Sequence, residues 1–115
     1  MKKLYYILFI LSSLIIGIAA NINPTTGIFS GEVQDSWTIG IPDVEVIDVV
    51  RSSGVTTDWG GEFSYARVNM QAGTIDNVLF SFKHPGYKTL TDEFPIKAGY
   101  EGYYEIPLTE VNPTR

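Results

Sequence analysis

Beyond residue 20 the apolar side chains of this sequence come in short alternating stretches. Nowhere do they recur at spacings of three and four over three turns. That pattern excludes long amphipathic helices and predicts strands. The clearest is Asn77 to Lys83, where Val78, Phe80 and Phe82 alternate with Leu79, Ser81 and Lys83. Six more are predicted at Gly27 to Val33, Val44 to Val50, Val55 to Thr57, Glu62 to Val68, Tyr87 to Phe94 and Tyr103 to Thr109, with Val44 and Val46 on one face. Asp35 to Pro42 reads as a connection, Ser52-Ser53-Gly54 as a turn and Trp59-Gly60-Gly61 as a bend. Pro85, Pro95 and Pro107 have no N–H to give a ladder and belong at strand ends, bulges or edges. Seven short strands at this density make an all-β, seven-stranded β-sandwich.

The first twenty residues follow another rule. Lys2 and Lys3 precede an uncharged run from Leu4 to Ala20 that ends in the small pair Ala19-Ala20. A basic end, a short apolar helix and small residues where a peptidase must fit are the parts of a secretory signal, with cleavage expected after Ala20. An uncleaved anchor is the alternative, since 17 residues is the lower edge of what crosses a bilayer. The expected organisation is therefore a signal helix or membrane anchor at 1–20, a loose tail at 21–26, the sandwich at 27–110 and a second tail at 111–115. The folded part is expected in the periplasm, on the cell surface or outside the cell, touching a membrane only if the segment is retained.

Composition narrows the chemistry. Without those twenty residues there are 6 basic and 13 acidic side chains, a net charge of −7, on a length that allows one domain. The acidic balance argues against nucleic acid, whose phosphates need clustered Lys and Arg. With no cysteine there is no disulfide, thiolate metal site or Cys nucleophile. His84 is the only histidine and sits beside Pro85-Gly86 in an expected turn, so neither a multi-His metal site nor a hydrolytic triad can be assembled around it. Asp43, Asp48, Asp58 and Glu62 raise the question of calcium, with Asp58-x-x-x-Glu62 the nearest approach to a site, but the alternating acids of a calcium loop are missing. No cofactor or metal is expected, and no enzyme activity. Trp37, Trp59, Tyr100, Tyr103 and Tyr104 fall in or next to Gly-rich turns. There they either cap the sandwich ends or bind an unknown protein or glycan partner, with Trp37, Trp59, Tyr100 and Tyr103 as the candidate partner-binding residues.

Four pieces occur in order: Gly31-Glu32-Val33 with Asp35; Ile41-Pro42 leading into Val44-Glu45-Val46; Thr57-Asp58-x-x-Gly61-x-Phe63; and Phe80-x-Phe82 followed by Pro85-Gly86-Tyr87. Ile106-Pro107-Leu108 closes the series. This order resembles the carboxypeptidase regulatory-like domain family over Ile28 to Leu108, and implies an immunoglobulin-like, transthyretin-like sandwich. One departure is visible: between Thr38 and Gly40 the chain carries an extra residue, Ile39, where members have Thr-Gly. The motif residues have structural work to do. Asp58 can accept backbone N–H bonds two residues on, Gly61 can take a conformation denied to other residues, and Gly86 allows a tight turn that lays Tyr87 over the sheet edge. The resemblance implies a module that acts in binding or structural support, without catalysis. An oligomeric small-ligand carrier and a surface carbohydrate-binding module are the alternatives. The hydrolase of the uric acid pathway that shares the transthyretin-like fold uses several His and Arg residues and a Tyr-Arg-Gly-Ser ending, none of which matches this chain.

If Met1 to Ala20 is a cleaved signal, the protein recovered from outside the cytoplasm will have the mass of a chain beginning at Asn21. A mass beginning at Met1 identifies a retained anchor.

Overall fold

A computed structural model describes Asn23 to Val111; the expected export segment lies outside the described residues. Seven strands run in the order β1 Gly27–Gln34, β2 Glu45–Asp48, β3 Ser53–Thr56, β4 Glu62–Arg67, β5 Ile75–Lys83, β6 Leu90–Lys97 and β7 Glu101–Pro107. They form two sheets, β4-β1-β7 and β3-β2-β5-β6. All pairings are antiparallel except β1 with β7, which run parallel with Phe29 opposite Gly102 and Gly31 opposite Tyr104. The all-β sandwich is as the alternation requires.

The inward faces meet around one ring. Phe29, in the middle of the central strand of the smaller sheet, lies 4.3 Å from the Phe80 ring, 4.8 Å from Phe94, 5.0 Å from Phe63 and 5.2 Å from Tyr104, centroid to centroid. Phe63 and Tyr104 flank it within its own sheet, and Phe80 and Phe94 reach it from the other. Tilted and edge-on rings at these distances add about 0.5–1.5 kcal/mol per pair beyond the burial of their area. Glycines make the room. Gly31 stands between Phe63 and Tyr104 in register, and a Cβ there would run into the Tyr104 carbonyl; Gly102 leaves the position beside Phe29 empty.

Several boundaries differ from the pattern's expectation, each for a local reason. The second strand ends at Asp48, so Val49 and Val50 form an exposed turn and Ser53-Gly54 belong to β3. The Asp48 carboxylate accepts the Arg51 N–H and its carbonyl the Ser52 N–H, which starts the turn before the two valines can extend the ladder. The sixth strand begins at Leu90, and Tyr87 lies outside it, in an isolated bridge with Glu110. Pro95 lies within β6, tolerated because that strand is an edge of its sheet. Tyr103 and Tyr104 are mid-strand, with Tyr104 in the core, because Gly102 is a strand residue opposite Phe29. Asn23 to Thr26, expected to be loose, is tied down: Thr25 carbonyl accepts the Met70 N–H and Thr26 carbonyl the Gly99 N–H.

Among the described residues one charged side chain is buried between the sheets. Asp48 is fully inaccessible, and its Oδ2 accepts bonds from Tyr65 Oη of the opposite sheet at 2.9 Å and from Arg51 Nη1 at 3.0 Å. Ser53 Oγ lies 2.8 Å from the same phenol oxygen, and Asp76 joins Arg51 to Arg67 nearby. Burial alone would raise the Asp48 carboxyl, but the Arg51 N–H, the Tyr65 hydroxyl and the Arg51 guanidinium outweigh it and hold the group below its ordinary value.

The folded-state pKa of Asp48 is thus lower than in the unfolded chain. Its contribution is fully present above the ordinary carboxylate value near about 3.9 and is lost as pH falls through the folded value. Asp48→Ala should cost about 2–3 kcal/mol in urea unfolding at neutral pH, since it removes the carboxylate that accepts from both the Tyr65 hydroxyl and the Arg51 guanidinium. Asp48→Asn should make stability less sensitive to pH between 5 and 3 than in the parent, read from urea midpoints across that range.

Candidate functional site

At one end of the sandwich two loops are built alike. In the β1–β2 loop, Asp35 Oδ1 accepts the N–H of Trp37 at 2.8 Å and of Ile39 at 3.0 Å. In the β3–β4 loop, Asp58 Oδ1 accepts the N–H of Gly60 at 3.0 Å and of Glu62 at 2.9 Å. Each carboxylate therefore ties down the backbone two and four residues on, and each loop holds a tryptophan outward. Trp37 is 75% exposed, Trp59 90% and Ile39 62%. Thr38, just before Ile39, takes the left-handed backbone of this loop at a φ of 61°.

The loops are pressed against one another. Gly61 has a φ of +83°, and a Cβ on it would stand 2.6 Å from the Ile41 nitrogen and 2.7 Å from the Val33 oxygen; a Cβ on Gly40 would run into the Gly60 carbonyl. The Val33 N–H donates to the Gly61 carbonyl, and the Ile41 N–H to the Val33 carbonyl. Thr57, buried, completes the clamp: its hydroxyl donates to the Ile41 carbonyl at 2.7 Å and accepts the Val44 N–H at 2.8 Å. The tryptophans thus project from adjacent, mutually braced loops.

The other residues singled out in the sequence are placed elsewhere. Tyr100 lies in the β6–β7 turn at the far end of the sandwich, under the Lys97 ammonium at 4.3 Å from its ring centroid. Tyr103 is on the outer face of β7 rather than in a turn, because the strand begins at Glu101. His84 Nδ1 is 2.7 Å from the Pro85 carbonyl oxygen, and its ring stands edge-on to Tyr87, 5.5 Å away. Gly86 has a φ of +89° in the turn before Tyr87, whose ring packs half-buried against the core. Among the described residues no three His, Cys, Asp or Glu side chains converge as a metal site would require. The carboxylate of Asp58 is occupied with its own loop.

The tryptophan end is also acidic. Glu62, Glu32 and Glu105 stand in one register row across β4, β1 and β7 on the outward face of the smaller sheet. Glu32 accepts from Gln34 Nε2 at 2.8 Å, and among the described residues none of the three glutamates pairs with a Lys or Arg. Burial raises the phenol of neighbouring Tyr103, and the carboxylates of Glu62, Glu32 and Glu105 push it further. Two open depressions flank the loops: one of about 200 Å³ at Asp43, Glu45, Lys83, His84, Pro85 and Thr89, and one of about 360 Å³ at Val55, Thr56, Asp58, Glu62, Phe63 and Ser64. The sequence reading names Asp35, Ile39 and Thr57 as motif or departure residues but misses the carboxylate bonds of Asp35, the Thr57 clamp, the close approach at Gly40 and the glutamate row. The signal that could have found the first loop is an Asp with a Trp one or two residues on, as in Asp35-Ser36-Trp37 and Asp58-Trp59.

No protein-family model matches the chain, and no curated protein matches it. Solved structures do. The 3-chlorocatechol 1,2-dioxygenase from Rhodococcus opacus 1CP matches with a TM-score of 0.56 at 14% identity, over 79% of this chain and 62% of that one. The catechol 1,2-dioxygenase from Acinetobacter sp. ADP1, in a structure inhibited by bound mercury, matches with a TM-score of 0.56 at 10% identity, over 81% of this chain and 55% of that one. The chain spans about three fifths of the length of these structures. At such identity the likeness shows the fold alone. It nevertheless overturns the expectation that the chain is not an enzyme: both of these structures are of enzymes, so the scaffold gives no ground for setting catalysis aside.

The braced loops make a specific demand on Gly61. Gly61→Ala should cost at least about 1–2 kcal/mol from its left-handed backbone alone, with more from the contact at Ile41. It should also loosen the two loops, seen as a lower urea midpoint together with faster hydrogen exchange at the Val33 and Ile41 amides.

Proposed function

We propose that this chain is an exported β-sandwich module of the carboxypeptidase regulatory-like, transthyretin-like kind, and that it acts by holding a protein partner at its Trp37–Trp59 end. The observation that carries this reading is the pair of exposed indoles on loops braced by Asp35, Asp58, Thr57 and Gly61. A protein keeps large apolar rings in water at a cost, and folding gains little from rings that touch so little of the core. Loops pinned in one conformation lose little entropy on binding, and tryptophan is the residue most enriched where binding energy concentrates. The module's export rests on the Lys2-Lys3 start and the apolar run to Ala20. Its family rests on the order of turn motifs from Gly31 to Leu108, which the seven-stranded, two-sheet architecture accommodates.

The test is retention of the full chain by the envelope of cells that produce it, compared with Trp37→Ala and Trp59→Ala together. Both rings are exposed, so the double variant should keep its urea midpoint within about 0.5 kcal/mol while retention falls about tenfold or more. Unchanged retention removes the tryptophan end from the functional reading.

A further inference from the structure

We infer that the partner held at the tryptophan end is a basic polypeptide: an extended segment whose Lys or Arg side chains lie over Trp37 and Trp59 and meet Glu62, Glu32 and Glu105. This rests on the binding role proposed for that end and names the chemistry of what it binds.

The exposed side chains of Trp37, Ile39 and Trp59 stand beside the glutamate row on one flank, while Lys83 lines the depression on the other. The glutamates of the row are directly opposite one another on neighbouring strands, an arrangement that destabilises a sheet. Within the described fold nothing basic relieves it, whereas at the far end Arg51 and Arg67 pair with Asp48 and Asp76. The row is continuous with the loops: the Glu32 carboxylate comes within 3.0 Å of where a side chain on Gly40 would begin, at the junction of the two loops.

Shape and chemistry then agree on the occupant. Cationic side chains are attracted to the faces of indoles, and a guanidinium stacks on them. The depression of about 360 Å³ beside Trp59 offers the half-buried Val55 for a methylene stem and Glu62 for a cationic head, which suits the two-part character of Lys and Arg. A neutral sugar could stack on the rings but would leave the carboxylates unanswered. Anionic lipid or nucleic acid would be repelled by them.

Binding is read from tryptophan emission, because the chain has only these two tryptophans. The purified chain is titrated with a synthetic peptide alternating Lys and Arg with small neutral residues, with the same peptide carrying Glu in place of the basic residues, and with a neutral glucan oligosaccharide. The basic peptide alone should bind, with affinity falling about tenfold or more between about 0.05 and 0.5 M salt. The E32Q/E62Q/E105Q variant should lose affinity by a similar factor with an unchanged circular dichroism spectrum. Failure of the basic peptide to bind at low salt, an unchanged affinity in the glutamine variant, or salt-insensitive binding of the oligosaccharide would each overturn the assignment. Envelope retention that depends on Trp37 and Trp59 but not on the three glutamates overturns only the basic partner and leaves the binding role of this end intact. Dependence on neither overturns both.

Discussion

The fold depends on the Phe29 ring lying between two sheets. It is the point where Phe63 and Tyr104 from one sheet and Phe80 and Phe94 from the other come within ring-contact distance. A residue of that size fits the central strand only because its register neighbours include glycine: Gly102 beside it, and Gly31 one row along between two further aromatics. Interiors pack at crystal density, so bulky rings in one row require small residues in the next. The glycine content that looks like turn chemistry is in part space for the core.

The two ends of the sandwich use acidic residues in opposite ways. At the β2–β3 end Asp48 is buried, hydrogen-bonded and paired, so its charge fixes the sheets to each other through Tyr65. At the other end Asp35 and Asp58 spend their carboxylates on local N–H groups and shape two loops, while Glu32, Glu62 and Glu105 face water without a basic neighbour among the described residues. The free energy left unrealised at the other end, in exposed indoles and facing glutamates, is available to a partner.

Likeness to catechol dioxygenases at 14% and 10% identity is a statement about scaffold. A two-sheet sandwich can carry catalysis, binding or transport, since activity belongs to side chains placed on it. The absence of a multi-histidine motif in a sequence does not exclude an enzyme. The positive features of this chain are its braced tryptophans and its charge asymmetry.

Seven strands, their approximate places and the inward set of Val46, Phe63, Phe80 and Phe82 were legible in the sequence, because side chains alternate faces every two residues whatever the tertiary arrangement. So were the Asp58 and Gly61 turn roles, because a carboxylate that accepts N–H bonds two residues on is a local device. What the chain order could not reveal was anything made across it. The burial of Asp48 under Tyr65, seventeen residues away on the opposite sheet, is one such contact. The glutamate row exists only because β4, β1 and β7 are neighbours in one particular register, and Thr57 clamps a loop far ahead of it in sequence. Periodicity and turn chemistry are short-range and survive in the one-dimensional string, whereas register and loop-to-loop packing are decided only when the two sheets close on their rings.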